Sequence, residues 1–324
     1  MSKKKKYTLK YQGPKPVEEG YVYADDASAP AGDVFESAEA EIAESDTLFD
    51  KIRNMYRTNT LALISTIVIL IFIFAAIFAP VVAPYEPNAQ SLKDRLINTS
   101  PEHILGTDEF GRDVFSRLIF GSRVSLLIGL LPTMISMIIG TVLGLIAGFY
   151  GGKVDFIIMR IADVLLAFPS LLLAMLVAYT VGTGLLTIFI ALAFVGWAGT
   201  ARVIRSQTLS LRQKEYVEAG KSIGVKKMTI IFRHILPNCV PTLIVLFTMN
   251  VPGNILSESS LSFLGVGAQP PSTSWGLMVY RSKKYLQKTP VATLCPGVAI
   301  LLLVLAFNFL GDGLRDAIDP YMKD

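Results

Sequence analysis

Runs of residues without a charged side chain constrain this chain more than any other feature. A helix that crosses about 30 Å of hydrocarbon, rising about 1.5 Å per residue, needs roughly 20 uncharged residues in succession. Thr58 to Tyr85, Val124 to Gly152 and Thr289 to Gly311 supply 28, 29 and 23 of them, one crossing each. Val164 to Ala201 runs for 38, about 57 Å as one helix. It therefore divides, at Gly182-Thr183-Gly184, into two crossings, the first starting near Phe156 with Arg160 and Asp163 at its mouth. A further stretch, His234 to Ser257, is interrupted by Pro237, Pro241 and Pro252, and its crossing is placed at about Cys239 to Gly265 with Glu258 inside it. The expected fold class is an all-α integral membrane protein with six transmembrane helices. Composition agrees: 52% hydrophobic and 17% charged residues with a mean hydropathy of +0.50 exclude a disordered, fibrous or ordinary water-soluble chain.

Six crossings put both termini on one side, and Lys and Arg collect on the cytoplasmic side of bacterial-type spans. Tails and loops on the terminal side hold 21 of these residues and the opposite side holds 9, so both termini and the loop after residue 202 are cytoplasmic. Arg281, Lys283, Lys284 and Lys288 cluster outside against that rule. The first apolar run lacks a small-residue cleavage pattern and is expected to stay as an anchor. Residues 1–50 hold six Lys and eleven Asp or Glu with little periodic apolar content, too little burial to offset chain entropy. The expected division is a mobile cytoplasmic tail over 1–57, a first transmembrane helix over 58–84 and an extracytoplasmic segment over 85–122. A five-helix core then covers 123–312, with a cytoplasmic loop over 205–238, followed by a short cytoplasmic tail over 313–324. Cys239 and Cys295 form no metal or disulfide pattern, and the +4 net charge, grouped by position, does not imply nucleic acid.

The cytoplasmic loop is the most informative passage. Lys214-Glu-Tyr-Val-Glu-Ala-Gly-Lys-Ser-Ile-Gly224 is followed after nine residues by His234-Ile-Leu-Pro237. Tyr216, Ala219 and Ile223 recur at helical spacing, Gly224 can supply a left-handed turn, and Met228, Ile231, Phe232 and Ile235 suggest a second short helix leading into the bilayer. An apolar stripe on a helix pair below the membrane needs something to pack on.

This passage resembles the EAA motif of permease subunits of ABC-type importers, with Glu218, Ala219, Gly224, Leu236 and Pro237 in register. Gly220 stands where a second Ala is usual, and His234 where an apolar residue is. Further segments are similar to the C-type subunit of dipeptide and oligopeptide permeases: His103 to Asp108, Gly111-Arg-Asp113, Gly121 to Ser125, Gly148 to Gly152, Phe168-Pro169, Gly196-Trp197, Ser257 to Gly265, Gln269-Pro-Pro271, Trp275-Gly276 and Gly311 to Pro320. The resemblance implies the type I ABC importer permease fold and an ATP-driven, binding-protein-dependent importer of di- or oligopeptides in a prokaryotic plasma membrane. It implies a second, homologous permease, two ATP-binding subunits that hold ATP and Mg, and an extracytoplasmic substrate-binding protein. Glu215, Tyr216, Glu218, Ala219, Gly220, Gly224, Leu236 and Pro237 would couple the chain to an ATP-binding subunit. Members with the same pattern handle nickel chelates, glutathione or other small solutes.

Several features have plainer readings. Gly220-Lys221-Ser222 lacks the earlier glycine and preceding strand of a phosphate-binding loop; the chain is expected to carry no cofactor and no catalytic residue. Thr107 followed by Asp108 and Glu109 reads as a helix cap with acids in the first turn, preferred to a metal site with His103 and Asp113. Gly140, Gly144 and Gly148 form a small-residue row for helix packing. Arg160 and Asp163 can pair at i, i+3, and Pro169 and Pro252 can kink their spans. Ionisable groups at membrane depth need protein or water, which makes Glu258, with Asn250 and Asn254 one and two turns earlier, either pathway residues or inter-subunit contacts. The rival class is a secondary transporter driven by an ion gradient, for which Glu258 is the one strong relay candidate. A membrane-embedded hydrolase is disfavoured because His103 and His234 lie at or beyond the membrane edges.

Overall fold

The computed structural model describes residues 48–182 and 184–318; the tail reading for residues 1–47, Thr183, and the last residues from 319 lie outside them. The ten residues before Thr58, expected as tail, form helix α1 (Leu48–Thr58), whose Met55 is buried beside Ala62 and Leu314. Asn59 then breaks the chain and caps α2 (Thr60–Ile77), its side chain accepting from the Ala62 N–H at 3.0 Å. Most of α2 is apolar and exposed, as suits a helix facing lipid, and its buried line runs through Ala62, Ser65, Ile69 and Ala76. A short turn, α3 (Ala79–Val82), leads outside.

The segment over 85–113, expected outside, is built on buried charge. Asp108 accepts from the N–H groups of Phe110 (2.9 Å) and Arg112 (3.1 Å) and from Arg112 Nε (2.7 Å), with Arg117 Nε at 3.4 Å. The cap expected at Thr107 lies six residues later, at Asp113. Asp113 caps α4 (Val114–Tyr150) by accepting from the Ser116 N–H at 2.7 Å, while its other oxygen meets His103 Nδ1 at 2.9 Å. Thr107 instead donates to the Asp94 carbonyl and accepts from the Ile97 N–H. Three successive residues, Asp108, Glu109 and Phe110, fold as a turn closed on Arg112, which is why the local cap signal misplaced the start.

After α4 come α5 (Gly152–Ala167), α6 (Ser170–Val181) and α7 (Leu185–Arg212). The small-residue row of α4 lies against α7: a Cβ on Gly140, Gly144 or Gly148 would sit 2.6 to 2.7 Å from atoms of Trp197, Ala201 and Thr208. Pro169 does more than kink its span. It separates α5 from α6, and the two axes differ by 94°. Asp163 pairs with Arg202 at 2.7 Å and not with Arg160, which lies over the Phe156 ring. Asp155 grips Arg205 through both oxygens, so α5 is tied to α7 twice.

The cytoplasmic loop contains α8 (Glu215–Ser222) and α9 (Lys227–Ile230). A π turn over Ile231–Ile235 joins α9 to α10 (Leu236–Phe263) without a break. Outside, α11 (Trp275–Ser282) wedges between spans, and α12 (Pro290–Ile318) is the last crossing. Among the described residues, five helical runs are long and apolar enough to cross, and α5 with α6 reaches that length and apolarity as a bent pair, for up to six crossings. The main core surrounds Trp275, where Ile69, Val251, Ile255, Leu303 and Phe307 of α2, α10 and α12 converge. Trp275 fits because Gly121 leaves room on α4, and its Nε1 donates to the Leu118 carbonyl at 2.9 Å.

Candidate functional site

The coupling candidates lie on a small, well-terminated helix. Glu215 and Glu218 sit in the first turn of α8, where acids favour the helix dipole, and Lys221 sits in the last. Gly224 has φ +79°. The Gly224 N–H donates to the Lys221 carbonyl and the Val225 N–H to the Gly220 carbonyl, at 3.1 and 3.0 Å, which is the Schellman closure that a left-handed glycine makes available.

α8 has two faces with different neighbours. Val217 is 1% exposed and packs with Ile230, Ile231 and Ile235 of the following segment and with Leu145, Phe149 and Ile204 at the lower ends of α4 and α7. The stripe identified from spacing points the other way: Tyr216 is 46% and Ile223 80% exposed, and Glu215, Glu218 and Ala219 are open beside them. Val217 is the anchor that the spacing argument passed over, because a single Val between charged neighbours carries no periodic signal. His234, half-buried, packs its ring against Tyr216 at 6.2 Å between centroids, and so holds the outer face of α8 to the start of the span. Leu236 is half-buried against the inner cluster, and Pro237 follows directly on the π turn, at the start of α10.

The membrane candidates separate. Asn250 and Asn254, with Ser257, line a cavity of about 400 Å³ that also meets Ser136 of α4, Gly196 and Gly199 of α7, and Phe168 and Ser170 at the α5–α6 break. Asn254 Nδ2 donates to Thr133 Oγ1 at 2.7 Å. Glu258 is fully buried on another side of α10. Its Oε1 accepts from Ser262 Oγ at 2.7 Å, Ser262 Oγ accepts from the Ala268 N–H at 3.0 Å, and Ser259 and Ser274 stand beside it. Ser262 Oγ thus ties α10 to the returning loop before α11, and the Glu258 carboxyl is bonded to that hydroxyl from one turn earlier on the same helix. Sequence reasoning missed Ser136, Ser170, Gly196, Gly199 and Gly253 as cavity residues; Phe168-Pro169 and Gly196-Trp197 were visible as motifs, but only the fold brings them together.

A bundle of membrane helices with one broken span, a partly polar cavity in its wall and an exposed cytoplasmic helix is the architecture of a transport permease. The chain belongs to the binding-protein-dependent transport system inner membrane components, whose family model matches residues 140–324; residues 47–101 match the N-terminal TM domain of oligopeptide transport permease C. It is 45% identical to a dipeptide transport system permease protein of Alkalihalophilus pseudofirmus, over 82% of this chain and 88% of the relative. It is also 45% identical to a glutathione transport system permease protein of Pectobacterium atrosepticum (79% and 85% covered) and 39% identical to an oligopeptide transport system permease protein of Bacillus subtilis (92% and 96% covered). Among solved structures, an inward-facing MetNI methionine ABC transporter chain matches with a TM-score of 0.50 at 19% identity, over 63% of this chain and 96% of that one, a likeness of fold.

Proposed function

We propose that the chain forms half of the translocation pathway of an ATP-driven importer of di- or oligopeptides in a prokaryotic plasma membrane. It works with a homologous second permease, two ATP-binding subunits that carry ATP and Mg, and an extracytoplasmic binding protein, and it catalyses nothing itself. The exposed stripe of α8, in register with the EAA pattern and braced from behind by Val217, supports this reading most directly. A motor subunit pressing on Tyr216, Ala219 and Ile223 would push a helix that cannot yield independently of α4 and α7, because Val217 is buried in their core. Glu215 and Glu218 add charge to the docking face, and Gly220 and Gly224 set its shape. The domain division given above is part of the same proposal, with α1 added to the start of the permease body.

We assign Asn250 and Asn254 to the pathway wall and Glu258 to the packing of α10, a reading supported by its full burial away from the cavity; an ion-driven transporter would instead use Glu258 as its relay. Peptides are favoured by the dipeptide and oligopeptide relatives. The glutathione relatives, equally similar, make glutathione the second reading. Reconstitution with co-purified subunits tests the energy source: uptake requires ATP and survives an uncoupler. Uptake that persists without ATP and collapses with the uncoupler would overturn the proposal. Mass spectrometry of ligand carried by the co-purified binding protein then distinguishes peptide from glutathione.

A further inference from the structure

An apolar groove opens between the cytoplasmic half of α4 and the segment that joins the coupling loop to α10. Val142 and Ile146 form one wall; Met228, Phe232, Leu236 and Leu243 form the other. Its open volume is about 300 Å³, within the range of ligand clefts. The groove belongs to neither the α8 docking face nor the Asn250–Asn254 cavity, whose linings are different residues.

Charge at its mouth is of one sign. Lys227 reaches from α9 to α4 and sits over the Tyr150 ring at 5.6 Å, one turn beyond Ile146. Lys226 and Arg233 are exposed on the same segment. Neither wall offers a carboxylate: α4 contains no Asp or Glu, and none occurs between Ala219 and Ser257. The nearest following acid along α5, Asp155, is already bound to Arg205. An apolar slot with Lys226 and Lys227 just beyond one end, neither of them ion-paired among the described residues, is complementary to an acyl chain below an anionic headgroup.

We propose that this groove is a binding site for an anionic phospholipid of the inner leaflet, with one acyl chain between α4 and α10 and the phosphate on Lys227 and Lys226. A transmembrane helix of another subunit is the less suitable occupant, because such contacts are made by small residues that let backbones approach. Here the small-residue row of α4 is already taken by α7, and the groove wall carries bulky branched, aromatic and thioether side chains. Phe232 and Met228 lie on the element that braces α8, so the bound lipid would stiffen the base of the coupling loop.

Native mass spectrometry of the full chain, purified in mild detergent with the subunits that stay bound, tests the site with phosphatidylglycerol and phosphatidylcholine as probes. The expected result is a retained phosphatidylglycerol adduct, preferred over phosphatidylcholine. Lys226→Gln with Lys227→Gln weakens it about tenfold or more, and Val142→Trp, which fills the slot from an exposed position, removes it with the charges intact. Equal retention of both lipids, retention unaffected by either variant, or efficient crosslinking of a Cys at position 142 to another subunit would each overturn the proposal.

Discussion

Gly220 and Gly224 stand four residues apart and carry opposite consequences. A Cβ on Gly220 would meet only Ile230 Cδ1, at 4.0 Å, so Ala fits there and gains about 1 kcal/mol of helix propensity. Gly220→Ala is expected to slow amide exchange across Glu215 to Ser222 about fivefold. At Gly224 the φ of +79° makes Ala cost about 1 to 2 kcal/mol, so the same measurement should show faster exchange while membrane insertion is unchanged. Glu218→Ala leaves both insertion and exchange nearly as they are but lowers ATP-coupled uptake; normal coupling in this variant and in Gly224→Ala would remove the role assigned to them. At this scale the sequence was legible where a residue has one job. Gly224 had a single conformational reason to be glycine, and the structure supplies it. Asp163 did not: an i, i+3 partner was available in Arg160, yet the ion pair forms with Arg202, 39 residues away, because α5 lies along α7.

Elements were legible as lengths of apolar chain and less so as directions. The runs of uncharged residues fell on each of the five long apolar helices among the described residues, but hydropathy is blind to axis, so the 94° turn at Pro169 went unseen although the proline itself was visible. The external loop hid its structure for a different reason: Asp108 resembles an N-terminal acid locally, whereas its partners Arg112 and Arg117 are recruited by the fold. Asp108→Ala leaves both guanidinium groups buried without their carboxylate, and about 3 to 5 kcal/mol of stability should be lost, read as a lower Tm in detergent. Gly144→Leu tests the α4–α7 contact. With the Ala201 carbonyl 2.6 Å from a new Cβ, the helices must separate, and about 1 to 3 kcal/mol or more is expected to go, seen as reduced yield of folded protein. Gly199→Ala, with nothing near its Cβ, should lose nothing and gain up to about 1 kcal/mol of helix propensity.

For the whole molecule, the distribution of positive charge predicted the orientation, and its exceptions find partners once the chain is folded. Arg281 meets Glu109 at 3.5 Å, and Lys283 lies over Phe263 and Tyr280. Photo-crosslinkers placed at 216 and 223 should capture an ATP-binding polypeptide in intact cells, while one at 217 should not, since Val217 faces inward. One consequence follows from the way the cytoplasmic loop enters the bilayer. Lys227 to Phe263 is a single helical run of 37 residues, about 55 Å of rod for a hydrocarbon slab of about 30 Å. The run therefore exceeds the slab, and the segment that braces α8 is continuous in backbone with the shaft that bears Asn250 and Asn254. A displacement entering at Lys227 has an unbroken backbone path to the cavity wall, with the π turn and the prolines at 241 and 252 as the places where that path can bend.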